Sequence, residues 1–187
     1  MNKTRLKKYA TLIARCGVNV QRGQEVVISA ELDQPEFVKM LVDECYKAGA
    51  KKVSVEWSYQ PLIKSHIRYC SEKVLSTLDD WQIEKLEHQA EILPCKIVLT
   101  SADPDGLAGV NQKKMAKSSA AKSKVIMPIR KKMENKYQWC IAAVPGKEWA
   151  KKVFPNERAS VAVEKLWEAI LSTSRVYEDP IAEWDKH

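Results

Sequence analysis

The sequence predicts an α/β fold built on a mostly parallel sheet. Short β-branched segments alternate with amphipathic helical segments along the 187 residues, as in repeated strand–helix–strand units. A crossover of this kind places its two strands parallel to each other. Because the chain is 45% hydrophobic, it can bury a sizeable core. We therefore expect at least four strands with helices on both faces, a three-layer, Rossmann-like arrangement.

The chain opens with a helix, a strand and a second helix. Apolar residues at helical spacing predict a first helix that ends near Gly17. The β-branched run Glu25–Ala30 predicts strand one. Asp33, Pro35 and Glu36 then predict a capping box at the start of the second helix.

A second strand and several short helices follow. The segment Lys52–Trp57 predicts strand two, and Pro61 opens a helical stretch. Ser71 and one of the aspartates at 79–80 are expected to cap two further helices. Strand three is predicted at Lys96–Thr100.

The last third of the chain predicts a long helix, a strand and a closing helix. Asn111 is expected to cap a lysine-rich helix that is interrupted near Pro128, because proline lacks the N–H that the helix needs. Strand four is predicted at Gln138–Val144, and the closing helix at Ala159–Ser174. We expect Trp139 in the core, since it alternates with apolar strand positions.

No linker or internal repeat divides the sequence, so we expect one α/β domain over residues 1–187. No apolar run approaches the roughly 18 residues that span a bilayer, and no signal peptide is recognisable. The five cysteines are scattered and never form a CxxC pair, which favours free thiols in a reducing compartment. The sequence therefore predicts a cytoplasmic protein without a membrane partner.

Motifs of self-sufficient catalytic sites are absent from the sequence. The three histidines lack metal-ligand spacing, and no GxSxG elbow occurs. The turn after strand one has acids where a nucleotide-binding fold needs glycines, so the fold should carry no nucleotide fingerprint. His66 and His88 are expected on the surface.

Five acidic residues lie within strand two or just after predicted strands. Because parallel strands end at one edge of the sheet, these acids are candidate cleft residues that could attract a metal ion or the α-ammonium group of a peptide. They are Glu31, Asp33, Glu56, Asp103 and Asp105. A purely structural alternative stays open, in which Asp33 caps a helix and the last two form turns.

A basic helix supplies much of the net charge of +7. Its lysines and arginine could follow a phosphate backbone: Lys113, Lys114, Lys117, Lys124, Arg130, Lys131 and Lys132. No aromatic residue interleaves with them to stack on bases. Nucleic-acid binding is therefore the disfavoured alternative, beside a non-enzymatic interaction domain.

Several segments resemble, in order, metal-dependent aminopeptidases of the thermophilic metalloprotease family, the aminopeptidase T and aminopeptidase S group. The matching stretches are Gly17–Val27, Leu41–Trp57, Asp105–Val110, Met133–Trp139, Trp149–Pro155 and Val163–Ile170. The resemblance covers nearly the whole chain, although family members are roughly twice as long. It implies that this chain is the N-terminal, non-catalytic domain of a hydrolase that removes N-terminal amino acids from peptides.

The resemblance also sets expectations for cofactors and partners. Two divalent metal ions of the zinc, cobalt or magnesium class are expected in the full-length enzyme, with ligands in a C-terminal catalytic domain that is absent here. No position of this chain matches those ligand motifs, so we assign it no metal-binding or catalytic residue and expect it to be inactive alone. Its expected partners are peptide substrates and its own catalytic domain, and a homodimer is compatible with the family.

Overall fold

The computed structural model describes residues 2–186 and contains one parallel four-stranded sheet. Its strands are β1 Glu25–Glu31, β2 Lys52–Ser58, β3 Cys95–Thr100 and β4 Trp139–Ala143. Their order across the sheet is β2-β1-β3-β4, and every neighbouring pair is parallel. The predicted α/β class and all four predicted strands are confirmed, to within two residues at each end.

Helices precede, connect and follow the strands. They are α1 Lys3–Leu12, α2 Pro35–Ala48, α3 Gln60–Tyr69, α4 Glu72–Ser76, α5 Asp80–Ile92, α6 Gln112–Met133, α7 Lys147–Val153, α8 Ala159–Thr173 and α9 Pro180–Asp185. A π-helical turn, Ile13–Gly17, extends α1. The prediction that the helix ends near Gly17 is thereby confirmed.

Most helix ends follow their predicted local signals. The side chains of Ser71 and Asn111 accept hydrogen bonds from the first turns of α4 and α6, and Asp79 forms a capping box on α5. The predicted interruption at Pro128 is wrong, because α6 continues through it. Between β4 and α8 the chain also forms the short helix α7, which was not among the predicted elements.

The chain divides into two compact units, a division that the search for a linker did not anticipate. The first unit contains residues 1–58, 95–104 and 138–187, and the second contains residues 59–94 and 105–137. The chain thus leaves and re-enters each unit, which is why no single linker marks the boundary. The expectation of a single domain over residues 1–187 stays a prediction.

The core of the first unit is formed by alternate strand residues and by apolar faces of α1, α2 and α8. Tyr9, Phe37 and Trp167 form an aromatic cluster there, with ring centroids 5.2–6.4 Å apart. The core position predicted for Trp139 is wrong, since 64% of this residue is exposed. Its strand neighbours Cys140 and Ala142 alternate with it and point to the core, so Trp139 lies on the opposite face.

Among residues 2–186, no helix combines the length and the hydropathy that crossing a membrane requires.

Candidate functional site at the carboxyl edge of the sheet

Strand register places the ends of the four strands along one edge of the sheet. Glu31 at the end of β1 is paired with Ser58 at the end of β2. Thr100 at the end of β3 is paired with Ala143 at the end of β4. Four of the five predicted cleft acids lie in the first unit along or just beyond this edge, as the sequence suggested.

Asp33 has a different role from the predicted helix cap. The N-cap position of α2 is occupied by Gln34, which makes no side-chain capping bond. The carboxylate of Asp33 instead accepts a hydrogen bond from the Ser101 hydroxyl, with an Oγ–Oδ2 distance of 2.9 Å. Because Ser101 follows β3 and is only 2% exposed, this bond fixes the loop after β1 to the loop after β3.

The loop after β4 completes this edge. The Gln34 side-chain amide donates to the Pro145 carbonyl at 2.9 Å, and the Val144 N–H donates to the Thr100 carbonyl at 3.0 Å. Gly146 approaches the β3 loop so closely that a Cβ atom there would lie 1.9 Å from the Ser101 carbonyl oxygen and 3.3 Å from Asp33 Oδ2. Its backbone φ is −74°, so space and not backbone conformation requires a glycine.

Glu31 and Glu56 lie on the same face of neighbouring strands. Glu56 is paired in register with Ser29, two residues before Glu31, and successive side chains on a strand alternate between faces. Both glutamates are half-buried. Glu56 takes part in a polar or electrostatic interaction, so it already has a partner within the protein.

The two remaining acids belong to different units. Asp103 is half-buried in the loop after β3 within the first unit, whereas Asp105 is exposed in the second. Each takes part in an interaction of its own. The Asp105 carbonyl accepts from the Ala108 N–H at 2.8 Å, the pattern of a turn.

A metal site needs several His, Cys, Asp or Glu donors converging on one point. Within residues 2–186, no group of three or more such residues is placed to hold one. The described residues therefore do not fit the two-metal site that the sequence resemblance implies for the whole enzyme, and no reaction step is assigned to them through a metal.

The other predicted functional groups lie elsewhere. His66 and His88 are exposed, as expected. Of the seven basic side chains predicted to follow a phosphate backbone, three are engaged within the second unit. Lys117 and Lys132 form ion pairs with Glu72 and Glu87, and Lys114 donates to the Ile67 carbonyl at 2.7 Å. These contacts reduce the number of unpaired positive charges that could bind the phosphates of a nucleic acid.

Sequence reasoning missed the residues that organise the edge, Ser101 and Gly146. A Pro-Gly pair is a turn signal, but neither that pair nor a serine after a strand indicates which loop it will contact. The strand order brings these residues together. Because β3 lies between β1 and β4, the loops that follow these three strands meet.

Residues 2–187 match the thermophilic metalloprotease (M29) family. The chain belongs to this family. Because the match extends over nearly the whole chain, both units lie within the region that the M29 family defines.

Members of the M29 family with similar sequences are aminopeptidases. Aminopeptidase PepS of Streptococcus thermophilus is 35% identical over 99% of this chain and 46% of its own length. Aminopeptidase AmpS of Bacillus subtilis (strain 168) is 32% identical over 98% of this chain and 45% of its own length. The chain thus spans slightly less than half the length of the curated relatives that it matches.

A solved structure supports the same placement. Wild-type AmpT from Thermus thermophilus superposes with a TM-score of 0.87 at 28% identity. The match covers 99% of this chain and 46% of that chain. The resemblance predicted from the sequence is therefore confirmed in both fold and family.

Proposed function

We propose that this chain is the N-terminal part of a metal-dependent aminopeptidase, which releases N-terminal amino acids from peptides. The observation that carries the proposal is the match of 97–99% of the chain to several aminopeptidases, each covered over only 45–46% of its length. The other part of such an enzyme would then have to supply the reacting groups. On this proposal, the chain is inactive alone.

We place the metal ligands in the part of the relatives that this chain does not match. The absence of a ligand group within residues 2–186 is compatible with this placement. The full-length enzyme would then bind two divalent ions of the zinc, cobalt or magnesium class. Peptide substrates and the catalytic part would be the principal partners.

For the chain itself we propose a role in forming one wall of the peptide-binding cavity. Asp33 is exposed but held in place by Ser101, so its carboxylate is presented at a defined position. Glu31 and Glu56 add negative charge at the same edge. A carboxylate fixed in this way can bind the α-ammonium group of a peptide at low entropic cost, and a wall at this position would limit the length of accepted peptides.

The activity proposal is tested first with the purified chain. Aminoacyl chromogenic substrates are offered with zinc, cobalt or magnesium, and we expect no turnover. Chelator-sensitive turnover by the chain alone would contradict the assignment of all catalytic groups to the other part. In a second experiment, this chain replaces the matching part of Aminopeptidase PepS, and we expect the chimera to hydrolyse the same substrates.

The same chimera tests the cavity role of the acids. Asp33→Asn, Glu31→Gln and Glu56→Gln are compared with Glu164→Gln, an exposed change on α8. We expect the three edge variants to change kcat/KM by a factor that depends on peptide length, while Glu164→Gln has no such effect. An unchanged kcat/KM across peptide lengths in all edge variants would refute the cavity role and leave the activity proposal intact.

We also propose a cytoplasmic location and allow for a homodimer. All five cysteines are free thiols, which favours a reducing compartment. Fractionation of the source cells and light scattering of the full-length protein would test these two statements.

A further inference from the structure

The second unit contains a cavity of its own. Its volume is about 510 Å³, within the range of small-molecule sites. Residues of α3, α4 and α6 line it, together with the first turn of α5. All lining residues belong to the second unit.

The apolar part of the lining comes from several helices. Ile63 and Ile67 lie four residues apart on α3 and face the cavity, with Leu75 from α4 and Met115 from α6 beside them. Residues at this spacing share one side of a helix. This part of the cavity therefore suits an aliphatic group of a ligand.

The polar part of the lining is centred on Ser118. This residue is only 5% exposed, and among residues 2–186 its hydroxyl oxygen has no hydrogen-bond partner. A helical serine can usually satisfy its hydroxyl by donating to the carbonyl four residues earlier, but Ser118 makes no such bond. Since a buried hydroxyl without a partner destabilises the protein, an acceptor supplied by a ligand would be favoured there.

Lys122 lies one helical turn after Ser118 and also lines the cavity. Other lysines of α6 are engaged: Lys114 donates to a carbonyl and Lys117 pairs with Glu72. Within the described part of the chain, no ion pair includes Lys122, which is only partly exposed. The cavity thus places a lysine without an ion-pair partner one helical turn from an unpaired hydroxyl donor.

The other titratable groups in the first turn of α5 and on α3 that line the cavity are Asp79 and His66. The Asp79 carboxylate is used as the N-cap of α5, where it accepts from the backbone of the first turn. His66 contributes a second basic group from α3. Asp79 keeps its negative charge while it caps α5, so the attraction for an anionic acceptor depends on Lys122, one helical turn from Ser118.

We propose that this cavity binds a small carboxylate that carries an aliphatic side chain. The carboxylate accepts from Ser118 Oγ and from Lys122 Nζ, and the aliphatic group lies against Ile63, Ile67 and Leu75. A free amino acid and the C-terminal residue of a short peptide share this chemistry. The site goes beyond the proposed peptidase activity and does not depend on it, because binding is measured without turnover.

The test is binding to the whole 187-residue chain, measured by calorimetry and by NMR chemical-shift changes. The probes are 4-methylpentanoate, leucine and the dipeptide Ala-Leu, with leucinamide as the probe that lacks a carboxylate. We expect saturable binding of at least one carboxylate probe and none of leucinamide. Leucine without the dipeptide would identify a free amino acid, and the reverse would identify a peptide terminus.

Matched variants locate the site. Ser118→Ala and Lys122→Gln are each expected to weaken binding about tenfold, the effect of losing one good hydrogen bond. Ser123→Ala and Lys124→Gln, exposed changes on the same helix, should leave binding unchanged. Should Ser118→Ala fail to fold, Lys122→Gln decides alone.

Three results would overturn the proposal. The first is no saturable binding of any carboxylate probe at millimolar concentration. The second is equal binding of leucinamide, and the third is binding that neither Ser118→Ala nor Lys122→Gln weakens.

Discussion

Replacement of Gly146 by alanine is expected to disrupt the carboxyl edge of the sheet. The new Cβ atom would lie 1.9 Å from the Ser101 carbonyl oxygen, whereas a carbon atom and a carbonyl oxygen normally approach no closer than about 3.3 Å. The two loops must therefore separate by about 1.4 Å. The atom in the way is backbone, so no side-chain rotation relieves the clash.

The expected cost follows from this separation. Overpacking of this kind destabilises by about 1–3 kcal/mol. The hydrogen bonds from Ser101 to Asp33 and from Val144 to Thr100 join the loops at this edge. Each of these bonds contributes about 1 kcal/mol. We therefore expect Gly146→Ala to lower the free energy of unfolding by about 3–5 kcal/mol.

Gly23→Ala is the matched control. Gly23 has a positive φ of 84° but no atom within 4 Å of its Cβ position, so only backbone strain of about 1–2 kcal/mol is expected. Both variants reduce the freedom of the unfolded chain similarly, so their difference isolates the clash. Urea unfolding followed by tryptophan fluorescence measures both. A Gly146→Ala midpoint equal to or higher than that of Gly23→Ala would refute the reasoning.

Three further predictions concern the first unit. Trp167→Ala should destabilise by about 3–5 kcal/mol because the residue is buried in the aromatic cluster, whereas Trp139→Ala should cost well under half as much; equal midpoint shifts in urea would contradict the core assignment. Burial raises the pKa of the Cys45 thiol from 9.0 to about 12. Between pH 9 and 12 the unfolded chain therefore loses a proton that the folded chain keeps, and the contribution of Cys45 to stability should fall by about 1.4 kcal/mol per pH unit. The total slope should be shallower in Cys45→Ala, and an identical slope in urea titrations would exclude this thiol as a cause. A double-mutant cycle of Asp33→Asn and Ser101→Ala should give a coupling energy of about 1 kcal/mol, and a coupling of zero would show that their bond does not stabilise the edge.

Local signals account for the parts of the structure that were predicted correctly. Short apolar runs, β-branched in most strands, specify the sheet, and side chains such as Ser71 and Asn111 cap the helices that follow them. Each of these signals acts over only a few residues, so neighbours in the sequence suffice to read it. Pro128 shows the limit of such reading, because α6 continues through it although proline removes one helical hydrogen bond.

The candidate site was predicted only in part. Four of the five acids lie along or just beyond one edge because parallel strands end there, but Asp105 belongs to the second unit and Asp33 does not cap α2. A capping box looked sufficient from the local sequence, yet the partner of Asp33 is a serine 68 residues away. No pattern within the loop after β1 can indicate that partner.

The sequence by itself thus determined the α/β class, the strands, most helix ends and the family resemblance. Only the tertiary structure decided that β3 lies beside β1, that Gly146 must remain without a side chain, that Trp139 is exposed and that Ser118 is buried without a partner. The physical reason is one of range. Periodicity and capping are satisfied within a few residues, whereas strand order, close backbone approach and burial depend on segments that meet only when the chain has folded.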